Sequence, residues 1–387
     1  MIDRPAPLMT SEQGSFARST IVERKPQIIR QVIADNGYPP DIVAALEAFR
    51  HEIAAQPIQP LTEVASDTEF WNQQAAAYRG RSWLELPWYF AETYFYRRLL
   101  EAVRFLQPGP CQDQDPFAPQ KRRQEGEAVA FLVQHWEELA AADPETRFEA
   151  LLHSSLWGNR ADLSNLTVRE LARGGLDAPS ERHNIVIDHS QWITARLSAG
   201  ITRLDLVTDN AGRELLFDLA LAEFVLDQGW AASVMFHLKD RPFFVSDAMP
   251  RDAEHLLALL GDEALGRRLE AHRLAGRLVF TDHPFWSRCL MFREMPEDLA
   301  ADLSLSDLVL LKGDVNYRRL LDDAHWPYTA RVEEIAAYFP TSFAILRTLK
   351  GEIMVGLRPG QAETIAAGDP EWLINGRRGI IQLVSKP

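Results

Sequence analysis

The sequence predicts an α/β protein, with a helical N-terminal domain followed by a Rossmann-like three-layer α/β/α domain that has a mostly parallel sheet. From about residue 28 to residue 200 apolar residues recur at helical spacing, whereas from residue 202 onward short apolar runs alternate with helical stretches. Strands alternating with helices imply right-handed crossovers and a parallel sheet covered on both faces. The 387 residues are enough for two domains, which we place at 1–200 and 201–387.

The helical half contains three clear helix patterns. Apolar residues three and four apart predict helices around 28–33 and 43–53. The run at 88–102, WYFAETYFYRRLLEA, carries an aromatic stripe that is typical of a buried helix face. Residues 107–124 are rich in Pro, Gln and Asp, which predicts a loop.

The second half contains the strands of the predicted sheet. A helix at 212–228, which is apolar on most sides and therefore expected to be buried, and a helix at 253–260 lie between the early strands. The predicted strands lie at 204–208, 232–238, 243–246, 278–281, 308–311, 342–346 and 379–384.

Charged and polar residues follow five of these strands at the point where each one ends. In an open parallel sheet, ligands bind in the crevice beyond the carboxyl ends of the strands. A single Asp at such a position is more often a helix cap than a ligand, but five polar strand ends favour a shared functional site. The residues are Asp209 and Asn210, Asp247, Asp282 and His283, Lys312, Asp314 and Asn316, and Arg347 and Lys350.

This set of side chains suits a metal ion and a phosphoryl group. Carboxylates with an amide oxygen, without Cys and with one nearby His, form a hard-oxygen set suited to Mg²⁺ or Mn²⁺, and Co²⁺ and Ni²⁺ bind such sets as well. A divalent cation beside Lys350 and Arg347 would neutralise a phosphoryl group in its transition state. The start of the helix after Asn210 would add free backbone N–H groups.

Several competing sites are disfavoured by specific residues. A dinucleotide or S-adenosylmethionine site needs several glycines after the first strand, and 209–214 contains only Gly212. The P-loop pattern GxxxxGK[ST] is absent. A haloacid-dehalogenase-type phosphatase would have a second Asp two residues after Asp209, where Ala211 stands. Neither the GxSxG elbow of serine hydrolases nor the HExxH pattern of zinc proteases occurs.

Composition bounds the compartment and the partners. The chain carries 55 acidic and 41 basic residues, a net charge of −14, and such a surface repels nucleic-acid phosphates. No apolar run is long enough for a membrane span, and the N-terminus has no signal-peptide core. Cys111 and Cys289 fit a reducing compartment. We therefore expect a cytoplasmic protein that binds neither nucleic acid nor membrane, with an oligomeric state that its sequence does not determine.

Several segments resemble the metal-dependent damage-control phosphatases. The stretch LDLVTDNAGRELLFDL at 204–219 is similar to the signature of that family, and more narrowly of its branch described as acidic-residue methyltransferase-like. The Arg-Thr-x-Lys element at 347–350 is specific to this branch. The resemblance spans nearly the whole chain, because further segments match in order at 14–17, 24–28, 94–98, 155–164, 242–247, 311–320 and 346–360.

The resemblance implies roles for particular residues. It implies a metal ion on Asp209, Asn210 and Asp247, and a phosphate group reached by Lys350. It also implies a preference for phosphosugars such as fructose 1-phosphate and for metabolites damaged by side reactions. The sugar-phosphate contacts that it implies come from Asp314, Asn316, Tyr317 and Arg318.

Two features of the site have alternative interpretations. Asn159, with Asp162, either forms part of the cleft wall or only ties a loop. In the mechanism that we expect, Asp209 or Asp247 accepts a proton from the water that attacks phosphorus, and Lys350 offsets the phosphoryl charge. The alternative is a phospho-enzyme formed on Asp209, which the missing second Asp disfavours.

The sequence thus predicts a divalent-metal-dependent phosphomonoester hydrolase with residues 201–387 as its metal-binding catalytic domain. Two rival functions are less favoured. An S-adenosylmethionine-dependent methyltransferase that esterifies protein carboxylates agrees with the description of the branch, but the single glycine after the first strand counts against it. A non-catalytic metabolite-binding module is disfavoured because so many ionisable groups converge.

Overall fold

The chain folds around one mixed β-sheet. The computed structural model describes residues 4–123, 125–158 and 182–386. Within these residues helices cover both faces of the sheet, and a further group of helices near the N-terminus has its own core. The predicted α/β fold with a mostly parallel sheet is confirmed.

The sheet contains seven strands among the described residues. These are β1 (Ile185–Asp188), β2 (Ile201–Val207), β3 (Ala231–Leu238), β4 (Leu278–Asp282), β5 (Leu308–Lys312), β6 (Phe343–Thr348) and β7 (Gly379–Val384). Their order is β1-β7-β6-β5-β2-β3-β4, with β2 to β6 parallel and with β7 antiparallel to β6. The chain moves outward from β2 to β4 and then returns to β5, so β2 and β5 flank the topological switch point.

The described helices form two groups. The first group comprises α1 (Phe16–Ser19), α2 (Lys25–Asn36), α3 (Pro40–Ala55), α4 (Thr68–Ala76), α5 (Trp88–Ala102) and α6 (Ala118–Arg122). The second comprises α7 (Glu125–Ala140), α8 (Pro144–Trp157), α9 (Ser190–Ser198), α10 (Arg213–Asp227), α11 (Pro250–Leu260), α12 (Ala264–Leu274), α13 (Glu297–Leu303), α14 (Gly313–Leu320), α15 (Val332–Ile335) and α16 (Gln361–Gly368). A π-helical turn, Thr20–Arg24, joins α1 to α2.

Alternate residues along the strands belong to two different cores, one on each face of the sheet, because successive side chains of a strand point to opposite faces. On β5, Leu310 belongs to a core shared with α8 and α10, while Val309 belongs to a core shared with α13 and α14. Helix α10 is buried on most sides, which agrees with its sequence pattern. The result is the three-layer arrangement that the alternation of strands and helices predicts.

The N-terminal helices have a third core of their own. Helices α2, α3, α4 and α5 contribute to it, and its aromatic members include Phe49 and Phe95, whose rings stack at 5.4 Å. The aromatic stripe of α5 is buried in this core, as its sequence predicts. Phe49 and Phe95 also flank charged groups, because Arg98 lies over the ring of Phe49 and Lys25 over that of Phe95.

The prediction of a strand at 243–246 is wrong, because the chain forms a turn there. Phe244 has a φ of +49°, which a strand residue does not adopt. The two phenylalanines of this segment contact the N-terminal helices and not the sheet, since the rings of Phe243 and Phe244 lie 6.4 Å and 5.0 Å from that of Tyr96. An apolar run that packs against a second core has the same sequence signature as a buried strand.

Strand β1 and helices α7 and α8 belong to the sheet layers although they precede residue 200. The edge strand β1 pairs with β7, and α8 packs against α10. The buried members of the separate N-terminal core all precede position 123 among the described residues, and Phe244, Val245 and Cys289 pack against that core. The division into domains at 1–200 and 201–387 stays a prediction.

The length and the hydropathy of the helices show whether any of them could span a membrane. In the ranges that the structure describes, no helix is both long and apolar enough to cross a bilayer.

Shortening a buried leucine of α10 should destabilise the protein strongly. Leu219→Ala removes atoms from a side chain that is 0% exposed, and we expect a loss of about 3 kcal/mol in the free energy of unfolding because a cavity remains. Leu274→Ala is the matched control, since Leu274 is a helical leucine that is 78% exposed, and its change should stay within about 0.5 kcal/mol. Denaturant titration followed by circular dichroism measures both. Equal losses in the two variants would contradict this description of the core.

Candidate active site

Residues from four strand ends line one cavity beyond the carboxyl edge of the sheet. The cavity has a volume of about 120 Å³. Asp209 and Asn210 follow β2, Asp247 lies in the turn that follows β3, Asp314 lies in the first turn of α14 after β5, and Lys350 follows β6. The structure thus brings together five residues that the sequence places at strand ends, although the strand predicted before Asp247 is a turn, and it does so at the switch point of the sheet.

The segments that carry Asp209 and Asp247 are joined through their backbones. Asn210 and Asp247 form an isolated antiparallel bridge, and the Ala248 N–H donates to the Asp209 carbonyl at 2.9 Å. Residues that are 37 or 39 positions apart in the chain are thereby held in a fixed relation. These bonds hold together the two backbone segments that carry the carboxylates.

Gly313 makes room for the carboxylate of Asp209. Gly313 has a φ of +83°, and a Cβ atom on it would lie 2.1 Å from Asp209 Oδ2. Both the backbone conformation and the space therefore require glycine. Gly313, between β5 and Asp314, thus leaves the space that the Asp209 carboxylate after β2 occupies.

The floor of the cavity is rich in oxygen and short of positive charge. Burial, and then the nearby carboxylates of Glu214 and Asp247, raise the pKa of Asp209 well above its ordinary value. Asp209 forms no ion pair within the described part of the chain. Asp247 Oδ2 lies 3.4 Å from Lys239 Nζ and accepts no hydrogen bond from a described residue.

The donor set at this floor fits a hard divalent cation. Asp209 and Asp247 offer carboxylate oxygens, and the side-chain carbonyl of Asn210 accepts a hydrogen bond from the Ser246 hydroxyl on the cavity side. Buried carboxylates with too little compensating charge are energetically costly unless a cation joins them. The assignment of these three residues as metal ligands stays a prediction, and the chemistry of the donor set supports it.

A second group of side chains could hold a metal ion. Ligand atoms of Asp205, His237 and Asp302 lie within 4.8 Å of one another. Arg203, however, donates to Asp205 at 2.7 Å and to Asp302 at 3.0 Å, so its guanidinium bridges the two carboxylates. His237 Nε2 lies 2.8 Å from Asp205 Oδ2. A metal ion would have to displace this guanidinium, and the group does not line the cavity.

Two cations reach the same cavity without an ionic partner. Arg24 and Lys350 both line it, and neither forms an ion pair within the ranges that the structure describes. Arg24 ends the π-helical turn Thr20–Arg24, a kind of turn that is often found at functional sites. Lys350 passes beside Gly376, whose Cβ would lie 3.7 Å from Lys350 Cε. Unpaired cations beside buried carboxylates indicate a ligand that carries negative charge.

Four cavity residues come from the N-terminal helices and are not identified by the strand-end argument. They are Phe16, Arg24, Trp88 and Glu92. Glu92 is held by a short ion pair with the buried Lys25. The segments at 14–17 and 24–28 that resemble the phosphatase family contain two of these residues, and this was the only signal in the sequence. Periodicity alone assigns the whole region to helix packing.

Arg318 and Arg347, both predicted to contact the substrate, hold Asp314 from behind. Arg347 Nε donates to Asp314 Oδ1 at 2.7 Å, and Arg318 Nε donates to Asp314 Oδ2 at 2.9 Å. Burial alone would raise the pKa of Asp314, but Arg347 and Arg318 outweigh it, so the pKa lies below its ordinary value. Both arginines are fully buried and do not line the cavity.

Asn316 and Tyr317 are also buried behind the cavity wall. The amide of Asn316 donates to the carbonyls of Thr208 at 3.1 Å and Lys312 at 2.8 Å, which ties the end of β2 to β5. The Tyr317 hydroxyl accepts the Val355 N–H at 3.0 Å. Neither residue lines the cavity, so the structure does not place them where they would touch a substrate directly.

Two remaining sequence features lie away from the cavity or outside the description. His283 accepts a hydrogen bond from the Phe285 N–H, so the strand end at Asp282 and His283 begins a short helical turn and does not line the cavity. Asn159 and Asp162 lie outside the described residues. Their predicted place in the cleft wall stays a prediction.

The fold and the cavity define a class of protein: a Rossmann-like α/β enzyme whose site, at the switch point of the sheet, combines buried carboxylates with free cations. Residues 20–365 match the family model described as the damage-control phosphatase ARMT1-like domain. The chain belongs to this family. The predictions of the family and of an enzyme of the phosphatase class are confirmed.

Proteins with curated names resemble the chain over its whole length. Damage-control phosphatase ARMT1 of Mus musculus is 33% identical, with 99% of each chain covered. The proteins of the same name from Danio rerio and Homo sapiens are 32% and 31% identical, with at least 97% of each chain covered. All three are named as phosphatases, so the methyltransferase alternative is not favoured.

The fold has a counterpart among solved structures. A DUF89 family protein from Pyrococcus horikoshii superposes with a TM-score of 0.52, with 95% of this chain and 97% of that chain covered. The two sequences are 14% identical, so the similarity concerns the fold alone.

Adding one methyl group at Gly313 should disable the cavity. We expect Gly313→Ala to lower kcat/KM for p-nitrophenyl phosphate by about 100-fold, since the new Cβ displaces the Asp209 carboxylate by an ångström or more. Gly200→Ala is the matched control, because Gly200 has a φ of +86° but nothing within 4 Å of its Cβ position. It shares the backbone strain without the collision. If both variants lose activity equally, the contact with Asp209 is not the reason.

Proposed function

We propose that this protein is a divalent-metal-dependent phosphatase that hydrolyses small phosphorylated sugars, with fructose 1-phosphate as the representative substrate. One observation carries the proposal. A single cavity joins the half-buried Asp209, whose carboxylate lacks an ionic partner in the described chain, to the unpaired cations of Arg24 and Lys350. A metal ion and a phosphoryl group are the complementary pair of ligands for such a cavity.

Asp209, Asn210 and Asp247 are the residues that would hold the metal ion. Their oxygen donors suit Mn²⁺, Mg²⁺, Co²⁺ or Ni²⁺. When bound, such an ion supplies positive charge to a phosphoryl oxygen and lowers the pKa of a water molecule. Asp209 lines the same cavity and is placed to accept the proton of that water molecule.

Lys350 and Arg24 meet the negative charge of the phosphoryl group. Both side chains line the cavity from opposite parts of the chain, one after β6 and one from the π-helical turn. Because they are already present and unpaired, they stabilise developing charge without breaking an existing ion pair. The alternative in which Asp209 itself attacks phosphorus lacks the second acid at position 211, where Ala211 stands.

Asp314 is suited to bind the sugar part of the substrate. Its carboxylate is kept ionised by Arg347 and Arg318, so it accepts hydrogen bonds from hydroxyl groups. Trp88 and Phe16 add aromatic side chains to the same cavity, and aromatic faces pack well against apolar sugar surfaces. Asn316, Tyr317, Arg318 and Arg347 then act by holding the wall of the cavity.

The cellular setting is part of the proposal. Cys111 and Cys289 are both free thiols in the structure, which agrees with a reducing compartment. We place the activity in the cytoplasm, where it would remove phosphate from sugar phosphates that side reactions produce.

Removing either carboxylate of the proposed metal site should abolish metal binding. We expect Asp209→Asn and Asp247→Asn to lose Mn²⁺ binding, measured by isothermal titration calorimetry on metal-stripped protein, because each variant replaces a negatively charged ligand with a neutral and weaker one. Chelation of the wild type with EDTA should stop phosphate release, and added Mn²⁺, Co²⁺ or Ni²⁺ should restore it.

Asp302→Asn is the control for the alternative metal cluster. It changes a carboxylate that Arg203 already bridges, so Mn²⁺ binding should be unaffected. Loss of binding in Asp302→Asn, with binding preserved in Asp209→Asn, would show that the metal ion binds at Asp205, His237 and Asp302. That result would refute the proposal.

Replacing Lys350 should slow phosphate release without removing the metal. We expect Lys350→Met to lower kcat/KM for fructose 1-phosphate by about 100-fold, which is typical for the loss of one preorganised charge partner of the transition state. Lys350→Arg should keep only part of the wild-type kcat/KM, because a planar guanidinium does not replace a compact ammonium. Lys386→Met is the control, since Lys386 bonds to backbone carbonyls away from the cavity. Unchanged kinetics in Lys350→Met would remove Lys350 from the site.

A further inference from the structure

Glu214 lies directly behind the proposed metal ligand Asn210. It stands in the first turn of α10, is 5% exposed, and accepts a hydrogen bond from Asn210 Nδ2 at 2.9 Å. Asn210 Nδ2 also donates to Asp209 Oδ2 at 2.7 Å. Both amide hydrogens are thus directed at carboxylates, which leaves the carbonyl oxygen to face Ser246 on the cavity side.

Glu214 is in turn held by a fully buried lysine. Lys312 Nζ donates to Glu214 Oε1 at 2.9 Å, to Asp218 Oδ1 at 2.9 Å and to the Ser155 carbonyl at 2.8 Å. All three hydrogens of the ammonium are therefore used. The two oxygens of Glu214 face donors, Lys312 Nζ at Oε1 and Asn210 Nδ2 at Oε2, so Glu214 acts as a hydrogen-bond acceptor towards Asn210.

The two ends of an asparagine side chain have nearly the same shape but different chemistry. The oxygen can bind a metal ion, whereas the NH₂ group can only donate hydrogen bonds. If the amide of Asn210 were rotated by half a turn, its oxygen would face the Glu214 carboxylate and its NH₂ group would face the cavity. Two acceptors would then meet in a buried place without a proton between them, which is strongly unfavourable.

We propose that Glu214, backed by Lys312, is a positioning residue that decides which end of the Asn210 amide faces the metal ion. The inference rests on the proposed function, since it assumes a metal ion on Asn210. Glu214 itself does not line the metal cavity. Outer groups that orient a metal ligand commonly change metal affinity by about 10–100-fold when they are removed.

A swap of the two side chains tests the proposal. In Glu214→Gln the neighbour can donate as well as accept, so only the Asp209 carboxylate still favours the observed orientation of the Asn210 amide, and we expect Mn²⁺ to bind about 10–100-fold more weakly. In Asn210→Asp an additional carboxylate meets Glu214, and we expect weaker binding than in the wild type despite the extra negative ligand. The double variant Asn210→Asp with Glu214→Gln restores a donor and an acceptor, so at least about tenfold of the affinity should return.

Glu223→Gln is the matched control. Glu223 is a buried glutamate of the same helix, 0% exposed and paired with Arg268 and Arg147, and it makes no hydrogen bond to Asn210. The Mn²⁺ affinity of Glu223→Gln should equal that of the wild type. Isothermal titration calorimetry on metal-stripped protein gives the affinities, Mn²⁺ electron paramagnetic resonance checks them, and circular dichroism confirms that each variant is folded.

The outcomes separate this inference from the proposed function. Unchanged affinity in Glu214→Gln, or a double variant as weak as the worse single variant, overturns the positioning role. Tighter Mn²⁺ binding by Asn210→Asp than by the wild type also overturns it, and this result remains available if Glu214→Gln does not fold. If instead Asp209→Asn binds Mn²⁺ as tightly as the wild type does, the proposed metal site itself is wrong.

Discussion

The arrangement of charges around the cavity depends on the half-buried carboxylate of Asp209. It lies at the switch point of the sheet, beside Asp247 and Glu214, and has no ionic partner among the described residues. Gathering carboxylates in a buried place is costly. The surrounding structure keeps them there with a backbone bridge between Asn210 and Asp247 and with a glycine, Gly313, that leaves room for the carboxylate.

The other acidic residues around the cavity each have a cation of their own. Lys25 pairs with Glu92, Lys239 with Asp247, Lys312 with Glu214, and Arg347 and Arg318 with Asp314. All of these cations lie behind the wall and not in the cavity. Arg24 and Lys350 are the cavity cations that remain unpaired in the described chain, so the site presents positive charge to a ligand on one side and unbalanced negative charge on the other. A phosphoryl group bridged to a metal ion satisfies both.

The N-terminal helices complete the site rather than simply preceding it. Phe16, Arg24, Trp88 and Glu92 line the cavity opposite the strand ends, and the ring of Trp88 also lies 3.9 Å from the guanidinium carbon of Arg318. The turn at 243–247 connects the two parts, because its phenylalanines pack on Tyr96 while its last residue, Asp247, enters the site. Changes in the N-terminal core would therefore reach the site through this turn.

The α/β class, six of the seven described strands at least approximately, and the polar residues that follow β2, β5 and β6 are predictable from the sequence, because periodicity and strand-end placement are local properties. Asp247 is predicted to follow a strand at 243–246, whereas it reaches the cavity from a turn. Which of these residues face the cavity depends on how the strands and helices pack in three dimensions. Asp314 and Lys350 do, whereas Arg318 and Arg347 turn away to hold Asp314, since neighbours on one short helix or strand point in different directions. The contribution of Arg24, the pairing of Glu214 with Lys312 and the turn at 243–246 rest on contacts between residues far apart in the chain, and no local pattern records those contacts.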